Sequence, residues 1–496
     1  MTTIEPPLRQ RTTPALSLRA LLRRATRWGP PLISVVAALG CGLYFALRTY
    51  EVDLGVYLRL GGRYIFTSHL YSLGLGHTGL LFTYPPFAAL LFAPWQRLFT
   101  TVDGVQMGWT MCNLAALVAL LVLTLRIVKP EWRRTSRWRL ALALTLPALL
   151  LNPVLVTVGF GQVNLVVTLL VLWDLLGSRR VGPWRMPMGV ATGVAAAVKL
   201  TPIIFVPYLL LTRRFRAAAT CLATFVACGL VTFAVSPASS RVYWTKALFD
   251  PTRTATSVLT PGLGFISNQS LSGVAARIAH GDVSQLALTP VLLLVSAGGL
   301  WIASVAHRHS SPMLGVLVCA ATWLLVSPVT WSHHMVWVVP ATLWFALGSD
   351  RPRHGRWVAA AAAVLFWSAP IWWVPHGRLL ELHLNVWQLM AGDSFFVAVV
   401  AFEDDRPVGF VYGHVLPQMT RTALLIYSVD TEADHRRRGA ARAMIERLRE
   451  LSLQRGYYEM WVLTSAANEP AMRLYESCGG VRETWDDVMW VFPLEA

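Results

Sequence analysis

The chain reads as a polytopic α-helical membrane protein followed by a small α/β domain, and three observations support that reading. Of its 496 residues, 55% are hydrophobic and 14% charged, with a mean hydropathy of +0.50. A soluble domain of ordinary size does not carry that balance, so most of the chain belongs in lipid. Arginines gather in short clusters between apolar runs, as cytoplasmic loops do. Near Glu403 the pattern changes to alternating apolar residues and then to a charged helical stretch.

The formal charge of +17 is unevenly divided. From Glu403 onward 11 Lys and Arg face 15 Asp and Glu, a net of −4, which leaves +21 on residues 1–402. The basic excess therefore lies in the apolar part, where cytoplasmic loops account for it and nucleic-acid binding is not needed. The six cysteines, Cys41, Cys112, Cys221, Cys228, Cys319 and Cys478, have no zinc or disulfide spacing. With no carboxylate cluster either, no metal site is expected.

Taken in order, Arg9, Arg11, Arg19, Arg23, Arg24 and Arg27 precede an apolar run from Pro31 to Leu47. No small-residue cleavage site follows, so residues 1–30 read as a basic cytoplasmic segment before a retained first span. Basic clusters at Lys129–Arg139, Arg179–Arg185, Arg213–Arg216 and Arg351–Arg356 mark later cytoplasmic loops. Threading between them gives spans near 31–48, 104–127, 140–158, 162–177, 187–199, 201–212, 217–236, 285–306, 312–328, 334–348, 357–375 and 385–402, about twelve, with both termini cytosolic. Runs 187–199 and 201–212 are too short to cross alone and read as partly re-entrant. Two long segments, 49–103 and 237–284, fall outside. In the first, residues 87–98 read as a helix lying along the interface.

Polar residues collect on that outer side. His333 and His334 stand between Trp331 and Trp337, as an interfacial anchor or as titratable groups within reach of water. Lys199 ends an alanine-rich run, where an ammonium snorkels or meets an anion, a lipid phosphate being the obvious one at that depth. Asp53 stands just beyond the first span, as a helix N-cap or as a carboxylate with work to do.

The stretches Val52-Asp53-Leu54-Gly55-Val56-Tyr57, Phe82-Thr83-Tyr84-Pro85-Pro86-Phe87, Gly161-Gln162-Val163-Asn164, Lys199-Leu200-Thr201-Pro202, Asn268-Gln269-Ser270-Leu271 and Ser327–Trp337, in this order and spacing, resemble the polyprenyl-phosphate-mannose-dependent α-1,2-mannosyltransferases of glycosyltransferase family 87. The resemblance covers nearly all of residues 30–400 and implies a GT-C fold of about twelve transmembrane helices. It also implies a polyprenyl-phosphate sugar donor and a glycolipid or lipoglycan acceptor at the outer face of the plasma membrane. Asp53 matches the family's acidic motif and would be the base that takes the acceptor hydroxyl's proton. His333 and His334 join it as catalytic candidates, and Lys199, Arg277, Gln162, Asn164 and Asn268 as candidates for binding the donor and its phosphate. Sugar transfer needs no cofactor on this reading, and inversion of a β-linked donor gives an α-linked product.

In the tail, residues 407–413 and 424–429 read as strands and 440–454 as a helix. Between them, Val429, Arg436, Arg437, Arg438, Gly439, Ala440 and Ala441 form a glycine-containing turn whose N–H groups and dipole end suit a phosphate. With Asn468 and Tyr475 this resembles the GCN5-related N-acetyltransferases (GNAT) over residues 403–496. That implies acetyl-CoA as co-substrate, held by the turn and Asn468, with Tyr475 as general acid. The strand and two helices that normally open that family are missing ahead of residue 403, so the domain reads as N-terminally truncated. Two other classes compete: an N-acetyltransferase anchored by a membrane domain, and a lipid or sugar transporter. A transporter should show corresponding broken segments in two halves. No such repeat appears, and the residues bearing chemistry cluster on one face, which favours the enzyme.

Overall fold

The computed structural model describes residues 18–48, 52–75, 80–95, 101–181, 183–250, 253, 256–257, 260–261, 263–279, 283–369, 396–403, 406–417, 422–464, 468–482 and 488–493. Helix α1 covers Leu18–Arg48, so residues 18–30 of the expected N-terminal segment run continuously into the first span. Arg9, Arg11 and Glu51 lie outside the described residues. Then come α2 (Val52–Gly55), continued by a π-helical turn over Val56–Gly62, α3 (Pro86–Phe92) and α4 (Val102–Val128). The bundle continues with α5 (Arg134–Ala143), α6 (Thr145–Leu149), α7 (Asn152–Gly159), α8 (Asn164–Leu176), α9 (Val190–Val198) and α10 (Phe205–Leu211). It is completed by α11 (Phe215–Val235), α12 (Pro237–Thr245), α13 (Leu271–Ile278), α14 (Gln285–His309), α15 (Pro312–Val326), α16 (Val338–Leu347) and α17 (Gly355–Ser368).

Four described helices are long and apolar enough to cross a bilayer, within Arg27–Leu47, Asp103–Val128, Phe215–Val235 and Ala287–His309. A fifth crossing arises if α7 and α8, bent by 118° at their junction, count as one broken span. By length and composition the described residues therefore supply four or five crossings, fewer than the expected count of about twelve. Run 140–158 is divided among α5, α6 and α7, with breaks near Pro147 and Pro153. Runs 187–199 and 201–212 are α9 and α10, separated by a 3₁₀ turn that carries Pro202. Proline lacks the donor N–H and disfavours the helical region for the residue before it, so these runs fold as short pieces. Residues 396–402, expected to close the last span, are strand; residues 370–395 lie outside the described set.

The surface helix expected over 87–98 also differs. Helix α3 buries Pro86, Ala88, Ala89 and Phe92 and belongs to the same core as α1, α4, α8 and α16. Its small alanines let the π-helical turn approach closely: a Cβ on Gly61 would meet the Phe82 ring at 3.0 Å and Ala89 at 3.4 Å.

The tail has strands β1 (Phe396–Glu403), β2 (Arg406–Pro417), β3 (Thr422–Thr431), β4 (Glu459–Thr464), β5 (Val481–Arg482) and β6 (Val488–Pro493), with helices α18 (Ala440–Gln454) and α19 (Glu469–Ser477). They form one six-stranded sheet in the order β5-β6-β4-β3-β2-β1. All pairings are antiparallel except β3 with β4, which run parallel and are joined through α18. Alternate residues Val411, Val415, Leu424, Ile426, Met460 and Val462 point to one face, where Met444, Ile445 and Leu448 of α18 cover them.

Candidate active site

The sharp junction of α7 and α8 organises the site. Gly161 takes φ +68° there, a conformation that costs glycine little. Its carbonyl accepts the Trp109 indole N–H at 2.7 Å. The carbonyl of the preceding Phe160 accepts the backbone N–H groups of Asp53 and Leu54, both at 3.1 Å. The first turn of α2 is thus tied to the same loop that carries Gln162 and Asn164.

Gln162 is buried, and its side chain meets the Asp53 carboxylate on one side. On the other its Oε1 lies 2.9 Å from Tyr57 Oη and 3.0 Å from Tyr84 Oη. Asn164 bridges two further groups. Its Oδ1 accepts from Lys199 Nζ at 2.7 Å, and its Nδ2 donates to the His333 carbonyl at 2.9 Å, which Thr157 Oγ1 also reaches at 3.0 Å. Lys199 is only 7% exposed; it does not snorkel. The rings of His333 and His334 lie 4.7 Å apart, His333 against Phe160 and His334 against Trp323. Both are buried, and His333 Nε2 and His334 Nδ1 have no hydrogen-bond partner among the described residues.

Asp53 lies outside the long apolar helices. Burial pushes its carboxyl up to about 6, against the opposing pull of the Gln162 hydrogen bond and the Lys199 charge. It is ionised at neutral pH and can still be protonated under mildly acidic conditions, the range in which a general base is effective.

Lys199 owes its position to a residue that sequence reasoning overlooked. Asp174, near the end of α8, accepts from Gly189 N at 2.9 Å, Thr192 N at 3.0 Å and Thr192 Oγ1 at 2.7 Å. It caps the N-terminus of α9, at whose other end Lys199 meets Asn164 from the start of α8. The two helices are pinned at both ends. Gly189 takes φ +105° with Ala217 and Cys221 of α11 packed against it, so no side chain fits there. A carboxylate within the apolar run 164–176 was the available signal. Tyr57 and Tyr84 were likewise present inside quoted motifs but carried no assigned role.

Asn268 and Arg277 belong to a separate group of hydrogen bonds. The Asn268 side chain is fully buried; Nδ2 donates to the Leu263 carbonyl at 2.9 Å, and Oδ1 accepts from Ser270 Oγ at 2.8 Å and Thr330 N at 2.9 Å. Arg277 donates to the Asn268 carbonyl at 2.8 Å. Both brace the loop that presents His333 and His334, and the hydrogen bonds above do not bring either to Lys199.

In the tail, β4 pairs with β3 only as far as Ile426, so the strands part before Val429. Gly439 takes φ +89° and starts α18, with Ala440 and Ala441 in its first turn. Arg437 is also left-handed, at φ +62°. Arg436 Nε donates to the Thr431 carbonyl at 3.1 Å, and Arg438 lies 3.6 Å from Glu403. Asn468 caps α19, accepting from Ala471 N at 3.4 Å. Tyr475 packs in the tail's core beside Cys478, and burial pushes its phenol up from its usual range.

A helical membrane body that brings a half-buried carboxylate and a buried ammonium group into one cluster, joined to an α/β sheet, outlines a membrane-embedded transferase with an appended domain. Comparison with known proteins narrows this. The model of glycosyltransferase family 87 matches residues 82–328, and that of the acetyltransferase (GNAT) family residues 350–480. The polyprenol-phosphate-mannose-dependent alpha-(1-2)-phosphatidylinositol mannoside mannosyltransferase of Mycobacterium tuberculosis is 34% identical over 370 residues, 71% of this chain and 83% of that relative. Its Mycolicibacterium smegmatis counterpart is 33% identical, over 70% and 81% of the two chains. A phosphatidylinositol pentamannoside mannosyltransferase of M. tuberculosis is 30% identical, over 69% and 78%. Among solved structures, the Escherichia coli ribosomal-protein-S18-alanine N-acetyltransferase is similar at 20% identity, covering 23% of this chain and 77% of its own, with a TM-score of 0.20. The chain belongs to glycosyltransferase family 87 and carries a GNAT domain at its C-terminus. The family match at 350–480 and strand β1 both reach upstream of residue 403, where the sequence reading began the domain.

Proposed function

We propose that this glycosyltransferase moves a mannosyl group from a polyprenyl-phosphate-mannose to a phosphatidylinositol mannoside or related glycolipid at the outer membrane face. The observation that carries this reading is the convergence of Asp53, Gln162, Asn164, Lys199, His333 and His334 from separate stretches of chain. The named relatives use that donor and act on such acceptors, which supports the substrate choice.

In the proposed step an acceptor hydroxyl attacks the anomeric carbon while its proton passes to Asp53. The bond from that carbon to the phosphate oxygen breaks, and polyprenyl phosphate departs with the electron pair. Lys199 supplies positive charge for the phosphate, and the open nitrogens of His333 and His334 offer it hydrogen bonds; aligned groups in a site shielded from water act more strongly than they would in solution. Asn164, held by the His333 carbonyl, keeps the ammonium group in line. Attack opposite the leaving group inverts the anomeric centre.

For the tail the proposal is acetyl-CoA binding on the cytosolic side. The pyrophosphate would lie at the N-terminus of α18 beside Arg436–Ala441, with the pantetheine arm along the parted strands near Val429. Tyr475 would protonate the departing thiolate, and acetyl transfer would be a second, independent activity.

The test is transfer of labelled mannose from polyprenyl-phosphate-mannose to phosphatidylinositol mannosides in isolated membranes, with wild type beside Asp53→Asn. Transfer by wild type alone is expected. Equal transfer by both would remove Asp53 as the base, and inactivity of both would remove the proposed donor and acceptor pair.

A further inference from the structure

Tyr84 touches both halves of the proposed chemistry. Its hydroxyl lies 2.8 Å from Tyr57 Oη and 3.0 Å from Gln162 Oε1, and Tyr57 Oη lies 2.9 Å from the same Gln162 oxygen. An amide oxygen only accepts, so two phenols on that side turn the amide's donor end the other way, toward Asp53. Meanwhile Lys199 Nζ sits 5.4 Å from the centre of the Tyr84 ring. A cation over an aromatic face at that range is attracted to it, more strongly where water is excluded. The backbone that carries the ring is fixed separately from both partners. The Tyr84 carbonyl accepts the Tyr71 hydroxyl at 2.8 Å, and Pro85 and Pro86 stiffen the backbone that follows.

We infer that Tyr84 is a positioning residue that couples base to cation, its hydroxyl orienting Asp53 through Gln162 and its ring face holding Lys199. The inference rests on the reading of Asp53 as the base. The hydroxyl and the ring do different jobs, so substitutions separate them. Tyr84→Phe keeps the ring and removes the hydroxyl, loosening the amide that stabilises the Asp53 carboxylate. Tyr84→Leu removes the ring as well. The groups facing Asp53 are Tyr57, Tyr84, Gln162 and Lys199, with His333 and His334 beyond Lys199. Tyr57→Phe run in parallel therefore shows whether the other phenol produces the same shift.

The experiment measures initial rates of the full-length protein in membranes from about pH 5 to 8, with polyprenyl-phosphate-mannose as donor and rates normalised to inserted protein. For Tyr84→Phe, kcat falls about three- to tenfold, the acid limb moves up by about half a pH unit and the donor KM stays within about twofold of wild type. Tyr84→Leu adds a rise of about two- to fivefold in donor KM. A Tyr84→Phe profile superimposable on wild type would overturn the hydroxyl's role, and a wild-type donor KM in Tyr84→Leu would overturn the ring's. Asp53→Asn assayed alongside keeps the two levels apart. Rapid transfer by that variant removes the base itself, whereas an inert Asp53→Asn with an unshifted Tyr84→Phe removes only the coupling.

Discussion

The molecule holds two clusters in which carboxylates stand near basic side chains, and they differ in their access to water. Lys199 is enclosed and Asp53 half-buried, and neutral dipoles of Gln162, Asn164 and Tyr84 hold them. In the tail, Glu403 meets His435 at 2.9 Å and Arg438 at 3.6 Å, and Asp430 meets Arg436 at 3.9 Å, with the Arg436, Arg438 and Asp430 side chains more than half exposed. A pair of charges 4 Å apart attracts by about 1 kcal/mol in water and about 4 kcal/mol in a partly buried setting. Bulk water therefore weakens the tail's ion pairs, while enclosure makes the membrane cluster responsive to each partner's charge.

Substitutions that break this contrast should rank accordingly. Asp53→Asn, close in shape and unable to accept a proton, is expected to lower mannosyl transfer by about 10³-fold with membrane insertion unchanged, read as labelled product per inserted protein. Lys199→Met should cost about 10²-fold in the same assay, because the departing phosphate loses its cation. The pH profile sharpens the point. The wild-type rate should fall as pH drops through about 6, where Asp53 takes up a proton. In Lys199→Met the residual activity should fall at a higher pH, since the Lys199 charge holds the Asp53 carboxyl down. Asp174→Ala leaves buried N–H donors of Gly189 and Thr192 unpaired. It should destabilise the detergent-solubilised protein by about 2 kcal/mol, seen as a lower thermal midpoint. At the bottom of the ranking, Arg438→Ala should move that midpoint by no more than about 2 °C, and Tyr475→Phe should leave mannosyl transfer unchanged. A large loss of transfer in Tyr475→Phe would mean that the two domains act together.

Much of the site was legible as residues and little of it as arrangement. Asp53, Lys199, His333 and His334 stand out because charge or imidazole in an apolar chain is costly unless it has a partner. Asn268 and Arg277 looked equivalent to them in one dimension, yet their hydrogen bonds brace the loop ahead of His333. Tyr57 and Tyr84 were masked by composition, since tyrosine at an interface needs no special explanation. Asp174 was hidden for the opposite reason: it lies near the expected inner end of a span, where a lone carboxylate draws no attention.

By itself the amino-acid order determined that most of this chain belongs in a membrane, that a small α/β unit follows, and which residue types could carry a proton and a phosphate. Those properties follow from hydropathy, charge asymmetry and local motif, all readable along one dimension. Runs 187–199 and 201–212 were already too short to cross in the sequence; the tertiary structure decided that 140–158 divides among three helices and that α7 and α8 meet at a 118° bend. It also decided which polar groups meet. Burial, and hydrogen bonds between residues as far apart as Asn164 and His333, depend on how helices pack, a three-dimensional property that spacing along the chain does not encode.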